Sequence, residues 1–308
     1  MANADDEAAN AWLERRRALE GGLARSTPDR PVPRRPWHNI DPILHLFGHL
    51  LRVVGLYSRG RRNALDIRLN HRPFVFADLP VAFDGYRILQ ISDPHLDLLP
   101  ELADNMIGLV AGLKVDLVLL TGDYRNDHSG PVEPGLAMLR PILDSVAASD
   151  GLVAILGNHD PAAAAPVLRQ MGARVLINET MQLRRGDDVM HLTGLDDVHY
   201  FYTEAARTAL LADYPGFRIA AVHSAEVADW AAAAGVDLYL CGHTHGGQIC
   251  LPGGRAPVSH LSRCRNHAQG TWREGNMQGY TSFGAGSATI PVRFHCPPEI
   301  ALITLARG

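Results

Sequence analysis

Five short clusters in this chain carry side chains of the kind that hold metal ions or move protons. Asp93-Pro94-His95 sets a carboxylate and an imidazole two residues apart, so at the end of an extended segment both turn to one side. Gly122-Asp123 places a carboxylate after a glycine, the residue that lets backbone approach a ligand closely. Gly157-Asn158-His159-Asp160 offers an amide oxygen, an imidazole and a carboxylate able to orient that imidazole. His223 stands alone, and Gly242-His243-Thr244-His245 offers two imidazoles two apart. As ligands these supply Asp93, His95, Asp123, Asn158, His223, His243 and His245, with His159 left over.

Imidazole, carboxylate and amide oxygen without thiolate suit Mn, Fe, Zn or Co better than Ca or Mg. Seven such groups are too many for one zinc and suit two divalent metals about 3.5–4 Å apart sharing a carboxylate. Each cluster alone has an ordinary explanation: Asp-x-His is commonly a satisfied pair, and a lone strand-end histidine is more often packed than ligating. The joint occurrence carries the inference.

The elements that must position these groups are legible around them. Apolar runs Arg87–Ser92, Val115–Thr121, Leu152–Leu156, Ile219–Val222 and Val236–Cys241 each stop at one of the clusters. Runs of that length bounded by turn residues read as buried strands. Helical stretches lie between them at Glu101–Leu113, Gly135–Ala148, Ala162–Met171, Glu204–Ala212 and Ala225–Ala234. Strands alternating with helices predict an α/β fold with a largely parallel sheet, in which ligands bind beyond the carboxyl ends of the strands. Every cluster falls there.

In this order the clusters resemble the calcineurin-like metallophosphoesterase superfamily. Gly242–Ile249 and the tail Pro298-Glu299-Ile300 resemble its bacterial branch of YkuE- and YaeI-type phosphodiesterases, which includes a UDP-2,3-diacylglucosamine pyrophosphatase. The resemblance runs from about Asp66 to Leu305 and implies a four-layer α-β-β-α sandwich. It implies that Asp93, His95 and His245 hold one metal, that Asn158, His223 and His243 hold the other, and that Asp123 bridges them. A metal-bridging hydroxide would attack phosphorus in line, and His159, held by Asp160, would stabilise the developing charge or protonate the leaving oxygen. The cofactors implied are two divalent ions, manganese first, with Zn, Fe or Co as alternatives. Two departures touch specificity. Asn126 stands where the family pattern has an acid, and Ser224-Ala225 follows His223 where the branch has Asn-Pro.

Arg125, beside the bridging aspartate, is the first expectation for a phosphate contact, with Asn158 close by. In the stretch 251–279, Arg263 and Arg265 are expected to clamp a phosphate or diphosphate, and Trp272 to stack a base or cover a lipid. Leu195–Tyr202 puts aromatics beside acids and is expected to shape the same pocket, while Cys241 reads as a packed apolar residue.

The 308 residues carry 29 basic and 33 acidic groups, a net charge of −4 that averages two unlike parts. Residues 1–72 hold 13 arginines and 8 acids, +5, whereas the other 236 residues carry −9. A phosphate-backbone binder presents a basic stripe, so a nucleic-acid partner is not expected of this acidic body. The N-terminal arm, residues 1–65, reads as a polar helix over 7–25, a Pro/Arg-rich linker at Thr27–Pro36 and an apolar helix from Asp41-Pro42 to about Tyr57; residues 66–308 form the catalytic domain. The apolar helix packs on the body or another subunit, lies in an anionic membrane interface with its arginines as a collar, or spans a membrane; three polar interruptions and short length weigh against the last. No signal peptide is read in the first 30 residues, and the four cysteines form no Cys-x-x-Cys pair. A reducing, cytoplasmic location is expected, with association at the inner face of the membrane if the apolar helix takes the interfacial reading.

The function expected is two-metal hydrolysis of phosphodiester or pyrophosphate bonds in a small-molecule, nucleotide-linked or lipid-linked substrate. Its alternatives are a phosphomonoesterase on the same site and a non-catalytic, membrane-recruited metal-binding module; the filled ligand positions disfavour the latter. Oligomeric state is left open.

Overall fold

The computed structural model describes residues 4–21, 41–127 and 130–308. The Thr27–Pro36 linker reading lies outside the described residues. Eight α-helices are described: α1 Ala4–Glu20, α2 Asp41–Val53, α3 Tyr57–Leu65, α4 Leu102–Val110, α5 Glu133–Asp144, α6 Ala164–Gln170, α7 Glu204–Leu211 and α8 Ala228–Ala233. The strands are β1 Arg68–Phe76, β2 Arg87–Ile91, β3 Lys114–Val115, β4 Leu117–Leu120, β5 Ala147–Ala148, β6 Leu152–Ala154 and β7 Ala173–Val175, then β8 Glu179–Arg185, β9 Asp188–Gly194, β10 Phe217–Ala221, β11 Leu238–Cys241, β12 Gly270–Glu274, β13 Met277–Thr281 and β14 Glu299–Arg307.

Two mixed six-stranded sheets result, ordered β1-β14-β2-β4-β6-β7 and β12-β13-β11-β10-β9-β8. The central strands β2, β4, β10 and β11 are buried on both faces because each face is covered, whereas the outer strands β1, β8 and β12 carry exposed residues as well. Side-chain alternation on β2 sends Ile88 between the sheets, where it meets Leu119, Ile155, Leu192, Ile219 and Leu240. Leu89 and Ile91 point the other way, onto Met106 of α4, Leu139 of α5 and Leu168 of α6. The second sheet likewise turns Ala220 and Tyr239 outward onto Leu210 of α7 and Ala231 of α8. The layers are therefore α-β-β-α, as the family resemblance implied.

The parallel pairs β2–β4 and β4–β6 bring the ends of three strands together in the first sheet, and β10–β11 does so in the second. Because the two sheets pack face to face, these ends meet along one seam.

The apolar arm helix, expected to about Tyr57, is α2 and ends at Val53; the arginine-rich α3 follows as a separate helix. Gly55, at φ +75°, ends α2 in a Schellman turn, with Leu56 N–H donated to Leu51 O at 2.8 Å and Gly55 N–H to Arg52 O at 3.2 Å. One face of α2 packs through Phe47 and Leu51 on Ile290, Val292 and Phe294. The opposite face leaves Ile43, Leu46, Leu50 and Val53 exposed. No helix among the described residues is long and apolar enough to cross a membrane.

Candidate active site

The first sheet delivers Asp93 and His95 after β2, Asp123 after β4, and Asn158 and His159 after β6; the second delivers His223 after β10 and His243 and His245 after β11. Asp93, His95, Asp123, His243 and His245 all have positive φ, between 38° and 73°. Asp and His tolerate this region better than most residues, and such strain persists only where the surroundings impose it. Here the loops are cross-tied: Asp93 N–H donates to Gly122 O at 3.0 Å, and Gly242 N–H to His223 O at 2.9 Å. The Asp93 carboxylate also accepts the His243 N–H, at 3.0 and 3.1 Å to its two oxygens. Gly157 is required by close approach, since a Cβ there would lie 2.2 Å from Asp123 Oδ1.

The Asp123 carboxylate stands at the centre. Its Oδ2 lies 3.3 Å from His223 Nε2, 3.7 Å from His95 Nε2 and 3.9 Å from His159 Nε2. On one flank, potential ligand atoms of Asp93, His95 and His245 converge to within 4.8 Å of one another; on the other, those of Asp123, His223 and His243 do so. Asn158 Oδ1 joins the second flank, 3.0 Å from His223 Nε2 and 2.7 Å from His243 Nδ1. All seven residues named as ligands from the sequence are thus brought together, and His95, Asp123 and His159 form a third convergent set between the two flanks.

Backbone carbonyls orient the rings. His95 Nδ1 faces Arg125 O, His223 Nδ1 faces Thr121 O and His159 Nδ1 faces Asn126 O, each at 2.7 Å. A carbonyl only accepts, so each Nδ1 carries a proton when the ring is neutral and each Nε2 turns its lone pair inward. Burial pushes His95 down to about 3 and holds His243 and His245 well below the ordinary imidazole range, so these rings are neutral donors at pH 7. His223 goes the other way: against its burial, Asp123 raises it well above the usual value. Asp123 in turn sits well below the carboxylate range, because His223, His159 and His95 outweigh its burial. Burial lifts Asp93 to about 6. His243 Nε2 is buried with no hydrogen-bond partner. A buried pocket lined by Asp93, Asp123, Asn158 Oδ1 and neutral imidazoles fits divalent cations of the N/O-binding kind.

Several expectations are corrected. Asp160 was expected to hold His159, but its carboxylate accepts backbone N–H groups of Asp123, Gly157 and Tyr124 at 2.7, 2.8 and 2.9 Å, and His159 is held by the Asn126 carbonyl. Arg125 is buried, with Nε donated to His159 O at 3.0 Å and Nη1 to Gly130 O; it braces the loop from which a phosphate contact was expected. Arg263 is paired with Asp229 and lies over Trp230, on α8. Trp272 is buried, stacked at 4.1 Å on His267, with Nε1 donated to Thr281 Oγ1, so it has no face left for a base. Arg265 remains exposed and lines an open cavity of about 460 Å³ with Arg255, Ser259 and Gln269. Cys241 is fully buried, as expected.

The stretch 195–202 does reach the site. His199 lies 4.3 Å ring to ring from His243, with Nδ1 3.1 Å from buried Glu226. Arg293 was missed by the sequence reading. It is fully buried and donates to the carbonyls of Phe283, Gly286 and Cys296, and to His245 Nδ1 at 3.3 Å. An arginine inside the apolar run 290–294 was the signal available.

Three comparisons bear on this arrangement. The profile of the calcineurin-like phosphoesterase family matches residues 86–247. The metallophosphoesterase YkuE of Bacillus subtilis is 31% identical over 236 residues, 74% of this chain and 81% of the relative. The phosphodiesterase YaeI of Escherichia coli is 27% identical over 246 residues, 77% of this chain and 87% of the relative. Among solved structures, the phosphopantetheinyl hydrolase PptH of Mycobacterium tuberculosis aligns with 66% of this chain and 91% of its own, at 12% identity and a TM-score of 0.42.

Proposed function

Because this chain belongs to the calcineurin-like phosphoesterase family and is a hydrolase of phosphoester bonds, we propose that it uses two divalent cations to cleave phosphodiester or pyrophosphate bonds. The observation that carries this reading is the single carboxylate of Asp123 between the Asp93/His95/His245 and Asn158/His223/His243 groups. Two cations held there, manganese first, would supply an activated water and a clamp on phosphoryl oxygens.

The chain's own residues do the rest. Asp93 and Asp123 bring the negative charge, and the neutral His95, His243 and His245 bring lone pairs without like-charge repulsion. His159, its Nδ1 proton taken by Asn126 O, turns Nε2 toward Asp123. Nε2 is the atom that would donate to a phosphoryl or leaving oxygen. His199, oriented by Glu226, borders the pocket on the His243 side. Arg265, with Arg255, is the remaining candidate for an outer phosphate of the substrate, a small nucleotide-linked or lipid-linked ester.

The exposed face of α2 and the arginines that follow it support peripheral contact with the anionic inner face of the cytoplasmic membrane.

The deciding experiment is steady-state hydrolysis of bis(p-nitrophenyl) phosphate against p-nitrophenyl phosphate, with Mn²⁺ and with chelator. Diester turnover that exceeds monoester turnover and is lost to chelator is the expected result. A monoester preference would replace the reading by a phosphomonoesterase on the same site.

A further inference from the structure

The loop Gly157–Asp160, which carries Asn158 and His159, is held from outside by the N-terminal helix. Arg16 of α1 is 1% exposed, although its helix is polar and more than 140 residues away in sequence. Burying a guanidinium is unfavourable unless its donors are all met. Arg16 meets them in one place: Nη2 donates to Asp160 O at 2.6 Å and Gly157 O at 3.4 Å, Nη1 to the Asp196 carboxylate, and Nε to Glu20 Oε1 at 3.1 Å. Its guanidinium carbon lies 3.5 Å over the Phe201 ring. Trp12 adds Nε1 to Asp196 Oδ2 at 2.7 Å, and Glu20 Oε1 accepts the Ala162 N–H at 2.7 Å.

The two carbonyls that Arg16 holds bracket Asn158 and His159. Fixing both ends of a four-residue loop fixes the side chains between them. The same guanidinium ties that loop to Asp196 and Phe201, in the stretch that also presents His199. A planar fork with several donors can make these contacts at once; a lysine cannot. We propose that Arg16 is a positioning residue for Asn158 and His159, so that α1 is part of the active site rather than an appended arm.

The kinetic arm of the test rests on the phosphoesterase reading; a second arm does not. In the full chain, Arg16→Ala is expected to lower kcat ~10–100-fold with little change in KM, the usual effect of removing an outer support of a metal site. Millimolar guanidinium, but not urea or sodium chloride, should restore much of it by refilling the cradle of two carbonyls, a carboxylate and a ring. Arg16→Lys should stay impaired.

Independently of any activity, hydrogen exchange in Arg16→Ala should quicken at the amides of Gly157, Ala162, Asp123 and Tyr124, and not in β10 or β11. If exchange quickens only in α1, or if Arg16→Lys has wild-type kcat, the proposal is overturned. If Arg16→Ala fails to fold, Arg16→Lys carries both readouts. A wild-type chain inactive on both esters with Mn²⁺ would sink the functional reading and leave the exchange result to judge Arg16.

Discussion

The Asp160 carboxylate accepts the backbone N–H of Asp123 at 2.7 Å, so the loop after β6 holds the residue that stands between the two candidate metal groups. Asp160 also caps Gly157 and Tyr124. It acts on the centre through backbone and touches no imidazole nitrogen proposed as a ligand. Asp160→Ala is therefore expected to weaken Mn²⁺ binding ~10–100-fold, the range for residues that support ligands. Calorimetric titration of the variant checks this; unchanged affinity would mean that the loop holds itself.

Asp123→Asn removes the shared charge at the centre. Metal binding and hydrolysis should be lost together, because in the proposed reading both cations share that carboxylate. Metal content after dialysis and turnover on the diester read the two effects. A variant that kept both would end the bridging assignment.

His159→Gln should separate them instead. The ring is held by Asn126 and belongs to neither proposed ligand set, although it converges with His95 and Asp123, so metal content should stay at the wild-type level while kcat falls ~10²–10⁴-fold. Loss of metal in this variant would make His159 a ligand.

The pH dependence of metal binding follows from His223. Asp123 keeps its imidazole protonated past neutrality in the metal-free protein, and a cation can bind there only by displacing that proton. The metal-free form thus holds more protons than the loaded form, so affinity rises with pH across the neutral range. Below about 6 the effect steepens, as Asp93 also takes up a proton. Titrations with Mn²⁺ at pH 7 in two buffers of different ionisation enthalpy should show net proton release. Zero release would contradict the protonated His223.

Gly157→Ala tests the packing of the loop. The new methyl would sit 2.2 Å from Asp123 Oδ1 and 2.6 Å from Asp123 N, and backbone cannot yield as a flexible side chain does. Destabilisation of about 1–3 kcal/mol is expected from such overpacking, together with weaker metal binding. Thermal unfolding and metal titration would record them; a silent variant would show that the loops lie further apart.

The ligand set was legible in the sequence for a local reason. Each ligand follows a buried strand directly, so the apolar run announces the strand and the polar residues at its end announce the site. That is why Asp93, His95, Asp123, Asn158, His223, His243 and His245 could be named together, and why the alternation of strands and helices gave the α/β class. The end of α2 at Gly55 was local too: apolar Val54 and Leu56 carry the helical reading to Tyr57, past the glycine that stops the helix.

What only the tertiary structure decided are the partners of groups far apart in the chain. Asp160 lies beside His159 in sequence yet serves Asp123, because the strand ends turn its carboxylate toward amides of the neighbouring loop. Arg263 and Trp272 carry the right chemistry for a substrate but meet Asp229 and His267 first. Arg16 sits in a polar helix with nothing nearby to mark it, and Arg293 is marked only by the apolar run around it, which does not say what it holds. A guanidinium takes its role from the carbonyls around it, and those are placed by the packing of two sheets and a returning helix, not by spacing along the chain.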